Sequence, residues 1–578
     1  MKSLKNIIAA GAVTALLLPA CHFLDEKPYD WAQPKDVFSM EANYEKPINQ
    51  AYSYLRGGFG RIGGAFLDAA TDDGMATISG SVIHRLSQGY ITSSNPVENC
   101  WGASYQGIRQ ALFVQKSLNE IDLVLNNKTS EDVLAIKNTY SGEMYCLRAL
   151  YEYDLLRHYG GYPIINEYYN LGDPALNEKK RSSFADCVKN IISLCDSAAK
   201  YLDVLPVGGN GGYGRMTKGA ALAIKAKTLV LAASPLFNQT GNSNALTGYT
   251  NPGGDEIKGR WETAAAACAA VINLKNTAAK EVYSLHASYE KLFVTSPNNE
   301  YIVFVGGPKQ SDLENRQYPP SLSKSLGGGT VPTQEFADAF TKSDGSDYTR
   351  EDLTTQYKNR DPRFNVMVGF NGAVYSSLGT IYTKLGEGAT ADGLNTVVDR
   401  STNTGYYLRK FLDLNVNFTK ATPGTAFHLF PLIRLADVLL LYAEAMNEAY
   451  GPDADPQGYG LTAKTAVQKV RARAGFTAAD KYLQNVNAPD QMRIKIRNER
   501  RIELAFEEQR YFDLRRWMLG DQLNQPVSGI RIEQRSGVQT GTYFTVDGQR
   551  RFETKMYLHP IPLSETMILP GIVQNPGW

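Results

Sequence analysis

The sequence MRIKIRNERRIELAFEEQRYFDLRRWMLG occupies residues 492–520 and contains no proline. Arg, Glu, Leu and Ala dominate it, and all four are good helix formers. Apolar residues recur at helical spacing in two stripes, which are formed by Ile502, Leu504, Phe506, Tyr511, Leu514 and Met518. The stretch therefore predicts one continuous helix that packs against the fold on two sides.

Charged residues lie between these apolar stripes. Glu507 and Arg510 are i,i+3 neighbours of opposite charge, as are Asp513 and Arg516, and this spacing favours ion pairs along a helix. A structural helix held by ion pairs is preferred here to an active site, because ion networks also perturb charged groups and are commoner than catalytic clusters.

The same residues carry a resemblance to a known family. Residues 499–517, ERRIELAFEEQRYFDLRRW, resemble the C-terminal signature of the SusD/RagB family of Bacteroidetes surface lipoproteins that capture nutrients. Further matches to the family pattern are RHYGGYP at residues 157–163, RLADVLLLYAEA at 434–445 and QNPGW at 574–578. In the first of these, Gly160 and Gly161 suit the left-handed end of a helix, and Pro163 prevents the helix from resuming.

The N-terminus has the layout of a lipoprotein signal peptide, which we place at residues 1–20. Lys2 and Lys5 precede an apolar run, residues 7–18, that is too short to span a bilayer. The run ends in LPAC at residues 18–21, which resembles a lipobox and implies acylation of Cys21. More than one acyl chain gives stable anchoring. A plain secretory signal followed by a chance cysteine is the alternative.

We expect a protein that is anchored by lipid to the outer membrane and exposed at the cell surface. The acidic residues Asp25 and Glu26 follow the lipobox directly. They resemble the signal that sends lipoproteins of this family to the surface.

The predicted fold class is mainly α, with tetratricopeptide-like stacked helix pairs and an irregular subdomain of loops and short strands, as the resemblance to SusD-like proteins also implies. Helical patterns fill residues 21–300 and 427–578, whereas residues 301–426 read as irregular sequence with short strands. Two alanine-containing helices at residues 433–449 and 461–474 fit a helical hairpin of this type.

Composition and motifs exclude several classes of function. Lys and Arg total 60 against 59 for Asp and Glu, so the chain lacks the basic excess that nucleic-acid binding needs. The six cysteines show no CxxC spacing, and we predict no metal site; Cys146, Cys187, Cys195 and Cys268 read as buried small residues. Neither GxSxG nor HExxH occurs, so we predict no enzyme, no catalytic residue and no cofactor.

The resemblance implies a lid over a SusC-like, TonB-dependent outer-membrane transporter. Such a protein captures an oligosaccharide or polysaccharide and passes it to the pore beneath. A RagB-like peptide-binding or adaptor scaffold is the alternative, because stacked helix pairs often bind peptides. An enzyme of polysaccharide breakdown ranks third.

Two long irregular segments, residues 72–99 and 309–331, are the predicted ligand-binding loops. Binding residues usually lie on loops that a rigid scaffold positions. Seven residues in these loops are candidate ligand contacts: Asp73, His84, Arg85, Tyr90, Asn315, Arg316 and Tyr318. The assignment is regional, since no motif fixes these residues individually. Tyr90 and Tyr318 are equally open to a structural interpretation in which each ring packs its own loop.

Overall fold

The computed structural model describes residues 33–578 except 171, 207–211, 239–252, 325, 351, 352 and 354. The predicted signal peptide at residues 1–20 and the predicted lipid-attachment residue Cys21 lie outside the described residues. Helices account for 42% of the structure and strands for 11%, so the predicted mainly α fold is confirmed. Among the helices that the structure describes, none is both long and apolar enough to cross a membrane.

The N-terminal part is a stack of helices. Its members are α1 Pro34–Phe38, α2 Glu45–Tyr52, α3 Val82–Ser87, α4 Trp101–Glu120, α5 Ser130–Tyr159, α6 Pro174–Asn177, α7 Phe184–Tyr201, α8 Lys218–Ala233, α9 Pro235–Asn238 and α10 Gly254–Ile272. A capping box of Thr129 and Asp132 begins α5, and the helix ends at Gly160, as the glycine pair predicts. The φ of Gly160 is +75°, but its ψ of −117° lies outside the left-handed helical region. The five buried cysteines of this part, Cys100, Cys146, Cys187, Cys195 and Cys268, are unpaired thiols.

The central part is irregular, with short helices and strands. The helices are α11 Asp312–Gln317, α12 Gln334–Ala339 and α13 Phe364–Met367. The strands are β1 Gly74–Ala76, which lies earlier in the chain, β2 Tyr301–Gly306, β3 Thr330–Pro332, β4 Val368–Gly369, β5 Leu385–Gly386, β6 Tyr407–Leu408 and β7 Leu429–Arg434. β1 pairs with β3, β2 with β7 and β4 with β6, each antiparallel.

Helices return after β7. They are α14 Leu435–Tyr450, α15 Ala463–Ala474, α16 Pro489–Glu503, α17 Gln509–Arg516 and α18 Leu563–Ile568. α4 packs on α5, α5 on α7, α7 on α8, α8 on α10 and α10 on α14, while α14 also contacts α15 and α16. The N-terminal and C-terminal helices therefore form one continuous stack.

A hairpin of β8 Val527–Arg535 and β9 Val538–Asp547 interrupts the C-terminal helices. It departs from the helical prediction for residues 427–578. β8 also pairs in parallel with β5, and its buried Val527, Ile530 and Ile532 join the apolar core of the irregular subdomain. Its two-residue loop, Ser536–Gly537, has positive φ at both positions, which suits a tight hairpin turn, and the buried side of β8 fixes the hairpin on the subdomain.

The predicted continuous helix at residues 492–520 is wrong, because the stretch forms the two helices α16 and α17. The backbone turns between them at Phe506 and Glu508, whose φ angles are +59° and +62°. The buried Asp68 carboxylate accepts hydrogen bonds from the backbone N–H groups of both residues, each at 3.1 Å. These bonds satisfy two amides that a continued helix would have paired internally.

The stretch nevertheless packs against more than one core, as its stripes predict. Met492 and Ile496 belong to the core of the helical stack, whereas Ile502 and Phe506 belong to that of the irregular subdomain. The break at residues 504–508 therefore lies where the two cores meet.

The ion pairs along the stretch follow the sequence prediction only in part. Asp513 and Arg516 form the predicted pair at 2.7 Å. The predicted pair of Glu507 and Arg510 is wrong: Glu507 binds Lys410 and Arg434, while Arg510 binds Asp72. The helix break turns the two side chains towards partners in distant parts of the chain.

Candidate functional site

The two predicted ligand-binding loops meet in the structure. β1, in the first loop, pairs with β3, at the end of the second, in the register Gly74–Pro332, Met75–Val331 and Ala76–Thr330. The contact continues beyond the strands, where the Thr77 N–H donates to the carbonyl of Gly329 at 3.0 Å. Two segments some 250 residues apart in sequence thus form one surface.

A third segment, residues 392–403, completes this surface. The Asp399 carboxylate accepts hydrogen bonds from the Ser79 backbone N–H and hydroxyl, both at 2.8 Å. The Asn403 side-chain amide donates to the carbonyl of Ala76 at 3.0 Å, and Ser321 donates to Asp392 from its N–H at 2.7 Å. The sequence analysis reads this segment only as irregular, although its run of Gly, Asn, Asp and Thr is a turn signal.

Apolar and polar groups alternate on the joined loops. Ile78, Leu326 and Val398 are 41%, 46% and 82% exposed, one on each segment. Ser79, whose hydroxyl binds Asp399, adjoins Ile78, and Arg400 donates to the carbonyl of Leu326. We call the surface formed by residues 77–82, 315–324, 326–329 and 392–400 the three-loop surface.

Asp73 and Tyr318 are fully buried, so they present no surface to a ligand in this structure. The Arg501 guanidinium donates to Asp73 at 2.5 Å. The Tyr318 hydroxyl donates to the carbonyls of Asp413 and Val416 at 2.9 and 3.0 Å. Both residues therefore belong to the scaffold beneath the loops, which corrects their assignment as ligand contacts; for Tyr318 the structural interpretation is the right one.

The carboxylates at the base of the first loop differ in their ionisation. Burial opposes the ionisation of Asp72, but the guanidinium groups of Arg501 and Arg510 outweigh it and hold the pKa of Asp72 below its usual range. Burial raises the pKa of Asp73, and Arg501 offsets this only in part because Asp72 lies alongside. The pair anchors the loop to α16 and α17.

Ligand contact by the other five candidate residues stays a prediction. His84 Nε2 lies 3.1 Å from the carbonyl of Ile78 and closes the first loop. The Asn315 side-chain oxygen accepts from the N–H of Lys324 at 3.0 Å and shapes the second loop. The side chains of Arg85, Tyr90 and Arg316 are exposed, and that of Tyr90 is 65% exposed.

Tyr90 lies towards the C-terminal segment rather than beside β1 and β3. The Arg551 N–H donates to the carbonyl of Ser87 at 3.0 Å, and the Leu563 N–H donates to that of Ser93 at 2.8 Å. These contacts place the end of the first loop against residues 551–563. The structure therefore brings Arg316 to the three-loop surface and sets Tyr90 apart from the β1–β3 ladder.

A cavity of about 360 Å³ opens beside α3 and is lined by Arg56, Arg61, Val82, Val97 and Glu98 among others. Arg56 pairs with Glu98 at 2.7 Å, and His158 Nε2 lies 3.0 Å from the same carboxylate. Burial opposes the charge of Glu98, but Arg61 and Arg56 outweigh it and hold its pKa well below the usual range. Burial lowers the pKa of His158, yet Cys100 and Glu98 together raise it to about 9. The charges in this cavity are matched within the protein.

The described residues contain no group of three or more His, Cys, Asp or Glu side chains arranged to hold a metal ion. His559 is also buried, and its Nε2 lies 2.9 Å from the Tyr511 hydroxyl.

A rigid helical stack that carries three bonded loops defines a class of protein: a scaffold with a loop-built recognition surface. Two family models match the chain: one described as SusD family, over residues 297–578, and one described as starch-binding associating with outer membrane, over residues 22–229. Solved SusD-like structures match the whole fold as well. The chain belongs to the SusD/RagB family.

The individual relatives share only a modest part of their sequence with this chain. The SusD-like protein P2 of Formosa agariphila is 34% identical over 150 residues, which is 25% of this chain and 25% of that protein. A SusD-like protein of Bacteroides fragilis has the same fold, with a TM-score of 0.74 and 24% identity over 95% of this chain and 100% of that one. A laminarin-binding SusD-like protein aligns with a TM-score of 0.59 and 20% identity, over 94% of this chain and 100% of that one.

Proposed function

We propose that this protein binds an oligosaccharide or polysaccharide at the cell surface through the three-loop surface. The observation that carries the proposal is the bonding of three distant segments into one exposed surface on a rigid helical stack. The hydrogen bonds between the segments fix the positions of exposed side chains that do not belong to the core. A preformed surface of this kind lowers the entropy lost on binding.

The chemistry of the surface suits a glycan. Sugars combine apolar CH faces with rims of hydroxyl groups, and the exposed Ile78, Leu326 and Val398 offer apolar contact. The backbone and side-chain polar groups of the three segments, with the exposed Arg316, offer hydrogen bonds. The family description of starch binding and the laminarin-binding structural neighbour support the same class of ligand.

The protein acts by capture and delivery, without catalysis. Its Cys21 lipid anchor holds it at the outer membrane, where it hands the glycan to a SusC-like, TonB-dependent transporter. The family description of association with the outer membrane supports this location, and the lipobox-like sequence at residues 18–21 supports the anchor.

Isothermal titration of the purified full chain with laminarin, soluble starch and trialanine tests the proposal. We expect heat of binding from a glycan and none from the peptide. Binding of trialanine alone would favour the RagB-like peptide scaffold instead. The same mixtures, assayed for new reducing ends, should show no hydrolysis; their appearance would make the protein an enzyme.

A further inference from the structure

A polar groove opens on the helical stack between α4, α5 and α7. We call it the helical groove; its volume is about 570 Å³, which lies within the usual range for ligand sites. Its rim carries Tyr145, Tyr168, Asn119 and Ser193. None of its lining residues belongs to the three-loop surface, so the proposed function makes no use of it.

Arg148 forms the floor of the groove and is 3% exposed. Its two terminal nitrogens donate to Gln115 at 3.3 Å, to the carbonyl of Ile165 at 3.3 Å and to the side-chain oxygen of Asn166 at 2.5 Å. Its Nε has no hydrogen-bond partner within the described part of the chain. An unmatched donor on a buried cation is costly to leave without a partner.

Glu152 lies one helical turn further along α5 and is fully buried. Its Oε2 accepts hydrogen bonds from the Tyr162 hydroxyl at 2.8 Å and from the Asn190 amide at 2.5 Å. Its Oε1 has no hydrogen-bond partner among the described residues. The nearest Arg148 nitrogen is 3.9 Å away, which is beyond hydrogen-bond range.

The charges of Arg148 and Glu152 therefore stabilise each other only in part. Burial raises the pKa of the Glu152 carboxyl, and the neighbouring Arg148 lowers it only in part. Burial likewise lowers the pKa of the Arg148 guanidinium against the attraction of Glu152. The unmatched donor belongs to a residue that lines the groove, whereas Glu152 lies behind the lining, where it holds the lining residue Asn190.

We propose that the helical groove is a second binding site and that its ligand is a neutral saccharide unit. The lining carries two cations, Lys116 and Arg148, and two carboxylates, Glu120 and Glu167, so neither an anion nor a cation is favoured. A hydroxyl both accepts and donates at one oxygen, so it can accept from Arg148 Nε and donate to an oxygen of the polar lining. A peptide group carries its N–H and C=O on opposite edges and offers no such group along its backbone.

Asn166 lies beside the floor and lines the groove. Its side chain is exposed and bridges the two sides of the groove, since it accepts from Arg148 and donates to Asn190 at 3.1 Å. Tyr145 and Tyr168 also line the groove and offer aromatic contact to a sugar ring. The ring of Tyr145 is stacked with that of Tyr201, and the cations Arg109 and Lys116 lie over the ring of Tyr168.

Isothermal titration of the full chain with laminaritetraose and maltotetraose tests the inference. Ser193 is exposed and lines the groove, so Ser193→Trp fills the groove without touching the core. Ala266 is an exposed α10 residue outside the groove, and Ala266→Trp is the matched control. We expect the wild type and Ala266→Trp to show two sites, and Ser193→Trp to lose one of them with at least a tenfold fall in affinity. Asn166→Ala, which removes an acceptor from the buried Arg148, should change the affinity of that site alone.

The inference depends on the proposed function only in the choice of glycan probes. If Ser193→Trp retains every site of the wild type, the groove is no glycan site and the proposed function stands. If neither tetraose binds the wild type, both proposals fail for these glycans. Trialanine binding that Ser193→Trp abolishes, without tetraose binding at the groove, would overturn the saccharide assignment.

Discussion

The Arg434 guanidinium donates to the backbone carbonyl of Glu503 at 2.7 Å, where α16 ends. The same guanidinium pairs with the side chains of Glu503 at 2.7 Å, Glu300 at 2.6 Å and Glu507 at 2.8 Å. Arg434 is the last residue of β7 and directly precedes α14. One buried arginine therefore joins the helical stack to the irregular subdomain at the helix break.

Loss of Arg434 should unfold the junction. Arg434→Met leaves three buried carboxylates without their shared cation, and removal of one partner from a buried ion pair costs about 3–5 kcal/mol. Urea unfolding followed by circular dichroism should show a fall of this size in the free energy of unfolding. Arg531→Met, at a half-exposed arginine on β8, should change it by less than about 0.5 kcal/mol. Equal stability of the two variants would show that Arg434 does not stabilise the contact between the helical stack and the irregular subdomain.

His158 should make stability depend on alkaline pH. Its pKa is raised to about 9 in the folded protein, against about 6.5 in the unfolded chain. The stabilisation is therefore fully present below pH 6.5 and is lost as the pH rises through 9. Because a shift of one pKa unit corresponds to ~1.4 kcal/mol, His158 contributes on the order of 3 kcal/mol to the free energy of unfolding.

The stability difference between the wild type and His158→Gln measures this effect. Urea unfolding at intervals from pH 6 to pH 10 should show the difference shrink as the pH rises. Comparison with the variant cancels the titration of all other groups. A difference that stays constant across this range would mean that His158 is not charged beside Glu98.

Truncation of Tyr318 should lower the stability of the fold, whereas truncation of Tyr90 should leave it almost unchanged. Tyr318 is fully buried, so Tyr318→Ala opens a cavity and should cost about 3–5 kcal/mol of stability. Tyr90 is 65% exposed, and Tyr90→Ala should change stability by less than about 0.5 kcal/mol. Thermal unfolding of the two variants tests this directly, and a similar melting temperature for both would refute the burial assignment.

Tyr90 remains a predicted ligand contact. If its ring stacks on a sugar, Tyr90→Ala should weaken glycan binding by about 0.5–1.5 kcal/mol. Isothermal titration provides the measurement. Unchanged affinity in the folded variant would remove Tyr90 from the site and leave the three-loop surface alone.

Cys21 is the predicted lipid anchor. Cys21→Ala should release the protein from membranes, because no acyl chain is then attached. Cell fractionation with detergent extraction gives the readout, and Cys195→Ala, at a buried unpaired thiol, serves as the control. Persistence of Cys21→Ala in the outer-membrane fraction would rule out anchoring at this residue.

The helical stack was predictable because its determinants are local. Helical spacing of apolar residues located α14 and α15, and the glycine pair at residues 160–161 located the end of α5. The break between α16 and α17 was not predictable. It depends on the carboxylate of Asp68, which lies more than 400 residues earlier in the chain.

The candidate site was likewise predictable only where its determinants are local in sequence. Loop composition located residues 72–99 and 309–331, and the pairing of β1 with β3 brings these segments together. The third segment was missed because Asp399 reaches Ser79 only through the folded chain. The burial of Asp73 and Tyr318 was equally hidden, since their partners Arg501, Asp413 and Val416 are distant in sequence.

The central claim is that the three-loop surface holds the glycan. Isothermal titration with laminarin and soluble starch, on a variant that combines Ile78→Ala and Val398→Ala, tests it most directly. Val124→Ala is the matched control, because Val124 is a 64% exposed valine in the connection between α4 and α5. The double variant should bind at least fivefold more weakly, while Val124→Ala should bind like the wild type. Wild-type affinity in the folded double variant would contradict it.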